Sequence, residues 1–161
     1  MFRLVSGDLL AEEGWKLHQT NCTSKSVRGI AASIFAKWPE TNTYYGDFER
    51  ERKFGRNDIF GKIRVVNMNA QLNPGGPNGH IGDGIKDRLE AFETCLRDIE
   101  EYLLHPSNTC MTLSFPYGIG CGLAKGNWLD YMALIHDSYE RIQEQCPSFS
   151  VIYRIIRLPI R

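Results

Sequence analysis

Phe115-Pro-Tyr-Gly-Ile-Gly-Cys-Gly-Leu-Ala-Lys-Gly-Asn-Trp128 joins an apolar stretch, Cys110 to Phe115, to a segment where Met132, Ile135, Tyr139 and Ile142 recur at helical spacing. Strand, glycine-rich turn and amphipathic helix in that order form the building unit of an α/β protein. Gly118, Gly120, Gly122 and Gly126 permit unusual dihedrals and close backbone approach, so consecutive amides can converge on an anion. A tight connection with no ligand is the other reading. The spacing is neither the nucleotide-kinase phosphate loop nor the dinucleotide fingerprint.

Working outward, the same alternation recurs. Upstream, Ile85, Leu89, Phe92, Leu96, Ile99 and Leu103 predict a long helix packed on one side. Downstream, Phe149 to Ile156 reads as a strand, and the charge alternation from Arg154 to Arg161 reads as the finish of an edge strand. Phe2 to Val5 and Trp15 to Gln19 are strand candidates, and a helix is expected from Arg28 to Lys37, with Ile30, Ile34 and Phe35 inward. Pro39 ends it. Thr41 to Lys53, carrying Tyr44, Tyr45 and Phe48, suggests an exposed helix. Ile63 to Val66 is a strand candidate, and Asn67 to Gly79 begins as strand and ends as loop. The expectation is one domain over residues 1–161, a mixed sheet covered by helices on both faces.

With 19 basic and 19 acidic residues the chain has no net charge, which argues against a polyanion partner but not against a small anion held by backbone amides. Cys22, Cys95, Cys110, Cys121 and Cys146 form no closely spaced pair, which favours reduced thiols. No stretch is long and apolar enough to span a membrane, and the start reads as a first strand. An intracellular location, cytoplasmic or nuclear, is expected. The four histidines lack metal-ligand spacing, so no metal or other cofactor is expected.

Three segments follow strand candidates and would share the crevice at the carboxyl ends of a sheet. In Gly7-Asp8-Leu9, Asp8 either caps a turn or accepts a hydrogen bond from a ligand amine. In the second, Asn21 offers donor and acceptor atoms to a sugar hydroxyl or simply closes the loop, and Gly29 lets a ligand approach the following helix. Arg28 would meet phosphate or water, and His18 reads as a packed residue. In the third, the amides around Ile119, Gly120, Cys121 and Gly122 would neutralise phosphate. Cys121 fits a cramped loop better than it fits a nucleophile. Lys125 is either an electrostatic partner or an ordinary exposed lysine. His80 and Asp83 would serve proton transfer, or Asp83 would cap the next helix.

Ser6-Gly-Asp-Leu-Leu10, His18-Gln-Thr-Asn-Cys22, Arg28-Gly-Ile-Ala31, Trp38-Pro39 and Gly118-Ile-Gly-Cys-Gly-Leu-Ala124 leading to Trp128, taken together, resemble the macro domain family. They resemble most the small branch that includes terminal ADP-ribose protein glycohydrolase and yeast ADP-ribose 1''-phosphate phosphatase. The resemblance spans roughly Leu4 to Ile156. It implies a three-layer α/β/α sandwich with a mixed central sheet, and ADP-ribose as ligand or product. Asp8 would then accept the adenine amino group and the Leu9 amide would meet a ring nitrogen. Asn21 would lie near the distal ribose. Gly29, Ile30 and Ala31 would face the diphosphate or distal sugar from one side, and Ile119, Gly120, Cys121, Gly122 and Leu123 from the other.

The glycohydrolase's catalytic pair does not carry over. The loop Asn69-Ala-Gln-Leu-Asn-Pro-Gly-Gly76 has no lysine, and Ala124 stands where the aspartate belongs. What the resemblance leaves is hydrolysis of ADP-ribose 1''-phosphate or another distal-ribose-substituted derivative, with His80 or Asp83 assisting a proton. The alternative is a non-enzymatic reader of ADP-ribose or of ADP-ribosylated protein.

Overall fold

A computed structural model describes residues 1–44, 52–77, 81–105, 111–147 and 150–158. Its elements are β1 (Phe2–Ser6), β2 (Trp15–Asn21), α1 (Gly29–Lys37), β3 (Asn57–Phe60), β4 (Val65–Gln71), α2 (Ile85–Leu103), β5 (Met111–Pro116), α3 (Trp128–Gln145) and β6 (Val151–Arg157). The six strands form one sheet in the order β1-β6-β5-β2-β4-β3. All neighbours run parallel except the β3–β4 pair. The sheet is therefore mixed.

Side chains alternate across the sheet and feed two cores. Leu17, Val66, Met68, Leu113, Phe115, Tyr153 and Ile155 join the larger core with α2 and α3. Val65 and Ile156, one residue out of phase, join Leu9, Ile34, Phe35 and Tyr44 in the smaller core under α1. Helices thus cover both faces, and the architecture is the α/β/α sandwich that the alternation implies.

Four features depart from the sequence reading. The Asn-rich segment after Val66 is strand as far as Gln71, and Ile63 lies in the turn before it. Val66, Met68 and Ala70 enter the larger core, while Asn67 and Asn69 pair with β2 on the other face. His18 Nε2 and Asn67 Oδ1 are 2.6 Å apart, and Thr20 Oγ1 donates to Asn69 Oδ1 at 2.7 Å. Partnered side chains let the polar half of the strand be buried. The second departure is β6, which is no edge: it lies between β1 and β5, with Tyr153 and Ile155 inward and Arg154 held by Glu12 at 3.0 Å. The third concerns the helix expected over 41–53. Pro39–Thr41 is a single 3-10 turn, Asn42 to Tyr44 is irregular, and 45–51, with Tyr45 and Phe48, lies outside the described residues. The short strand β3 was not anticipated from sequence.

Candidate functional site

The carboxyl ends of β2, β4 and β5 open into a crevice of about 730 Å³. Gln19 and Asn21 line it from β2 and Gln71 from β4, with Pro74, Gly75 and Gly76 from the loop that follows. Arg28, Gly29, Ile30 and Ala31 at the start of α1 form one wall. Pro116 to Gly120 and Gly122 to Lys125 form the opposite one, and Ser24, Ser26 and Tyr44 complete the lining. This is the usual ligand position in a parallel α/β sheet, and the volume falls in the small-molecule range of roughly 300–1,000 Å³.

Both walls present backbone amides. Helix α1 has no side-chain cap, since Arg28 is its N-cap residue. The other helix starts are served: Asn127 accepts from the Leu129 amide at 2.9 Å, and Asp87 accepts from the Gly84 amide at 3.0 Å. The first-turn amides of α1 therefore remain for an anion. On the facing wall, the amides of Ile119, Cys121, Lys125 and Gly126 close onto loop carbonyls. Those of Gly120, Gly122, Leu123 and Ala124 have no partner among the described residues. Arg28 and Lys125 add positive charge, and no carboxylate or imidazole lines the crevice among the described residues.

The glycines of this wall divide by role. Gly120 has φ +76°, and a Cβ there would lie 2.5 Å from the Tyr131 ring. At Gly126 a Cβ would lie 2.5 Å from the Gly120 carbonyl oxygen. These two are packing requirements. Gly122 faces open space, with nothing within 4 Å of an added Cβ. The tight-connection reading therefore holds at Gly120 and Gly126, while Gly122 leaves space beside the backbone.

Two clasps hold the walls. Asn21 is fixed from behind: its amide donates to Tyr44 Oη at 2.8 Å, and its carbonyl accepts from Arg52 at 3.0 Å. Its Oδ1 accepts from the Thr23 and Ser24 amides at 3.2 and 2.7 Å, which leaves Nδ2 as the atom for a ligand. The loop-closing role weighed for Asn21 is thus filled by its Oδ1, and only its side-chain amide nitrogen is left toward the crevice. At the crevice floor Gln19 donates to Gln71 Oε1 at 2.8 Å, and Gln71 donates to the Asn73 and Gly75 carbonyls at 2.9 and 3.2 Å.

The second clasp is Asp83 with Arg88. The fully buried Asp83 carboxylate accepts from the Leu72 and Asn73 amides at 3.0 and 3.2 Å and from Arg88 Nε and Nη2, each at 2.9 Å. Arg88, also buried, reaches the Gly75, Gly76 and Ala124 carbonyls at 2.8, 3.1 and 3.3 Å. One guanidinium thus ties both glycine-bearing loops together. Burial would raise the Asp83 carboxyl, but the Arg88 hydrogen bonds and the two amides hold it below the usual carboxylate range. Asp83 does not line the crevice, and Gly84, not Asp83, is the N-cap of α2. Its place is structural, which corrects both roles expected of it. His80 lies outside the described residues.

The remaining site expectations divide. Asn21, Gly29, Ile30, Ala31, Ile119, Gly120, Gly122 and Leu123 meet in the crevice. Asp8 and Leu9 do not line it: Asp8 Oδ1 accepts from the Leu10 amide at 3.0 Å, and Leu9 is buried in the smaller core. Cys121 sits behind the wall, donating to the Ile119 carbonyl at 3.3 Å, and burial pushes its thiol up to about 11. His18 is fully buried, and its pKa is pushed down to about 4, by burial against the opposing pull of Asn67. Sequence reasoning missed Gln19, Gln71, Tyr44, Arg52 and Arg88. Arg88 had a signal: it stands three residues after Ile85 and four before Phe92, a charge on an apolar stripe.

Against known structures, the chain is similar to the macrodomain of Thermus aquaticus DarG, at 20% identity over 99% of both chains with a TM-score of 0.59. It is similar to a point-mutant macrodomain of Oceanobacillus iheyensis, at 14% identity over 98% of this chain and 84% of that one, TM-score 0.63. A third is DarTG of Thermosipho africanus in complex with ADP-ribose, 15% identical over 99% of this chain and 42% of that one, TM-score 0.56. The fold is macrodomain-like. No protein-family model matches the chain, and no curated protein matches it. In this macrodomain-like sandwich, no group of three or more His, Cys, Asp or Glu side chains is placed to hold a metal among the described residues. None of its described helices is long and apolar enough to cross a membrane.

Proposed function

We propose that this chain binds ADP-ribose, free or attached to a protein, with the diphosphate between the two crevice walls. The observation that carries the reading is the facing pair of amide sets, the uncapped start of α1 and the Gly120–Ala124 backbone, flanked by Arg28 and Lys125. Such a site neutralises a diphosphate without a metal. Asn21 Nδ2 then donates to a ribose hydroxyl, and Tyr44 and Arg52 keep it aimed. The ADP-ribose held by the Thermosipho africanus protein supports the choice among diphosphates. So do the motifs in which the sequence resembles the macro domain family.

Binding is the primary role. Hydrolysis of ADP-ribose 1''-phosphate or another distal-ribose derivative needs a proton carrier, and Asp83 is fully engaged by Arg88 and two amides. His80 is the carrier left for that second reading.

Calorimetric titration with ADP-ribose, with ADP and ATP as comparisons, tests the binding. Saturable binding that prefers ADP-ribose is expected, and correctly folded protein that binds none of the three overturns it. No phosphate release from ADP-ribose 1''-phosphate would remove the catalytic reading, and release unchanged in His80→Ala would remove His80 from it. Asp8→Ala tests the adenine contact that the resemblance implies for a residue outside the crevice lining; unchanged preference for the adenine nucleotide would eliminate it.

A further inference from the structure

Lys125 is held in a conformation that suits glycine. Its φ is +56°, and the other described non-glycine residue with positive φ, Arg64, sits in the turn between β3 and β4. The strain is enforced from three sides: the Lys125 amide donates to the Gly122 carbonyl at 3.1 Å, Arg88 binds the preceding Ala124 carbonyl at 3.3 Å, and the following Gly126 amide donates to the Gly120 carbonyl at 2.9 Å. A left-handed residue with a long side chain persists only where its surroundings over-determine it, and such residues concentrate at functional sites.

The strain places a cation. The Lys125 stem crosses to the opposite loop and lies on Gly76, where a Cβ would stand 3.2 Å from Lys125 Cδ. The side chain therefore spans the two glycine loops at the crevice. No carboxylate forms an ion pair with its ammonium among the described residues. Arg28 stands on the α1 wall, so the two cations approach a ligand from opposite sides.

We infer that Lys125 is a specificity-determining residue, a counter-charge held in a left-handed turn to select ligands carrying a diphosphate or an additional phosphoryl group against the Gly75–Gly76 loop. This rests on the proposed function and adds the residue that sets charge preference. Glycine at this position would relieve the backbone and remove the charge, so stability and binding should move in opposite directions.

The test titrates wild type, Lys125→Gly, Lys125→Asn and Lys125→Arg with inorganic pyrophosphate and with ADP-ribose, and records Tm of each apo protein. Asparagine tolerates positive φ, which guards against a loosened loop in the glycine variant. Expected are a Tm about 2–4 °C higher for Lys125→Gly, affinity for both ligands about five- to tenfold lower in the glycine and asparagine variants, and near-wild-type affinity in Lys125→Arg. Wild-type affinity for both ligands in the glycine and asparagine variants overturns the inference and leaves the proposed function intact. Pyrophosphate binding that depends on Lys125 without ADP-ribose binding supports the inference and overturns the nucleotide reading. Binding of neither ligand by wild type overturns both.

Discussion

Two carboxylate–guanidinium pairs each take one partner from helix α2, and they do different jobs. Near its start, Asp83 and Arg88 are both buried, and the guanidinium's remaining donors go to the Gly75, Gly76 and Ala124 carbonyls. Near its end, Glu100 takes Arg141 through two hydrogen bonds of 2.8 Å and also accepts from Ser138 Oγ, which in turn meets Tyr153 Oη at 2.7 Å. That second network joins α2, α3 and β6, and Arg141 keeps a 22% exposed side chain. The first pair shapes loops that have no regular structure; the second ties elements already packed by the larger core. Equal chemistry therefore carries unequal consequences.

Breaking the first pair should have the largest effect. Arg88→Met leaves the Asp83 carboxylate buried and uncompensated, a loss of about 3–5 kcal/mol in urea denaturation. Ligand affinity should collapse with it, since the Gly75–Gly76 loop and the Ala124 loop lose their tie. A variant of near-native stability would end the claim that this pair differs in kind from the other. Gly120→Ala comes next. Its Cβ would drive into the Tyr131 ring in a left-handed backbone, for about 2–4 kcal/mol, readable as a fall in Tm.

His18 sharpens the comparison by showing what a buried polar group does without an ionic partner. Its folded pKa of about 4 lies below the unfolded value of about 6.5, so between those values the unfolded chain binds a proton that the native state refuses. Stability is complete above the unfolded value and falls as pH drops toward 4. About 2 kcal/mol should be lost between pH 7.5 and 5, and His18→Gln should flatten that slope in urea titrations at the two pH values. The smallest effect is expected of Glu100→Gln. It keeps an acceptor for Ser138 and loses one partly solvated ion pair, for about 1 kcal/mol, with ADP-ribose affinity unchanged. A drop in affinity there would mean that the two networks communicate.

The legibility of this chain follows the same division. Helices α1, α2 and α3 and strands β1, β2, β5 and β6 were readable because burial on one side or both leaves a period in the sequence. Strand β4 was half-readable: the segment from Asn67 was expected to begin as strand and end as loop, but its extent to Gln71 depends on the partners that β2 supplies to Asn67 and Asn69. Within the site, the glycine wall and the start of α1 stood out because glycine and an uncapped helix are local features. Gln19, Gln71, Tyr44 and Arg52 were hidden because each acts through a residue distant in the chain. Asp83 misled for a related reason. Its neighbours in sequence suggested a cap or an acid, while its partner is Arg88, five residues on and a charge on an apolar stripe.

Sequence alone determined the alternation of elements, the two-faced sheet and the glycine-rich backbone of one crevice wall, because periodicity and glycine content are properties of short segments. Tertiary structure decided which glycines serve packing and which face open space, that β6 is central, and that Asp83 is a clasp. Those outcomes depend on what stands opposite each residue, and a hydrogen bond or a steric clash exists only once distant segments meet.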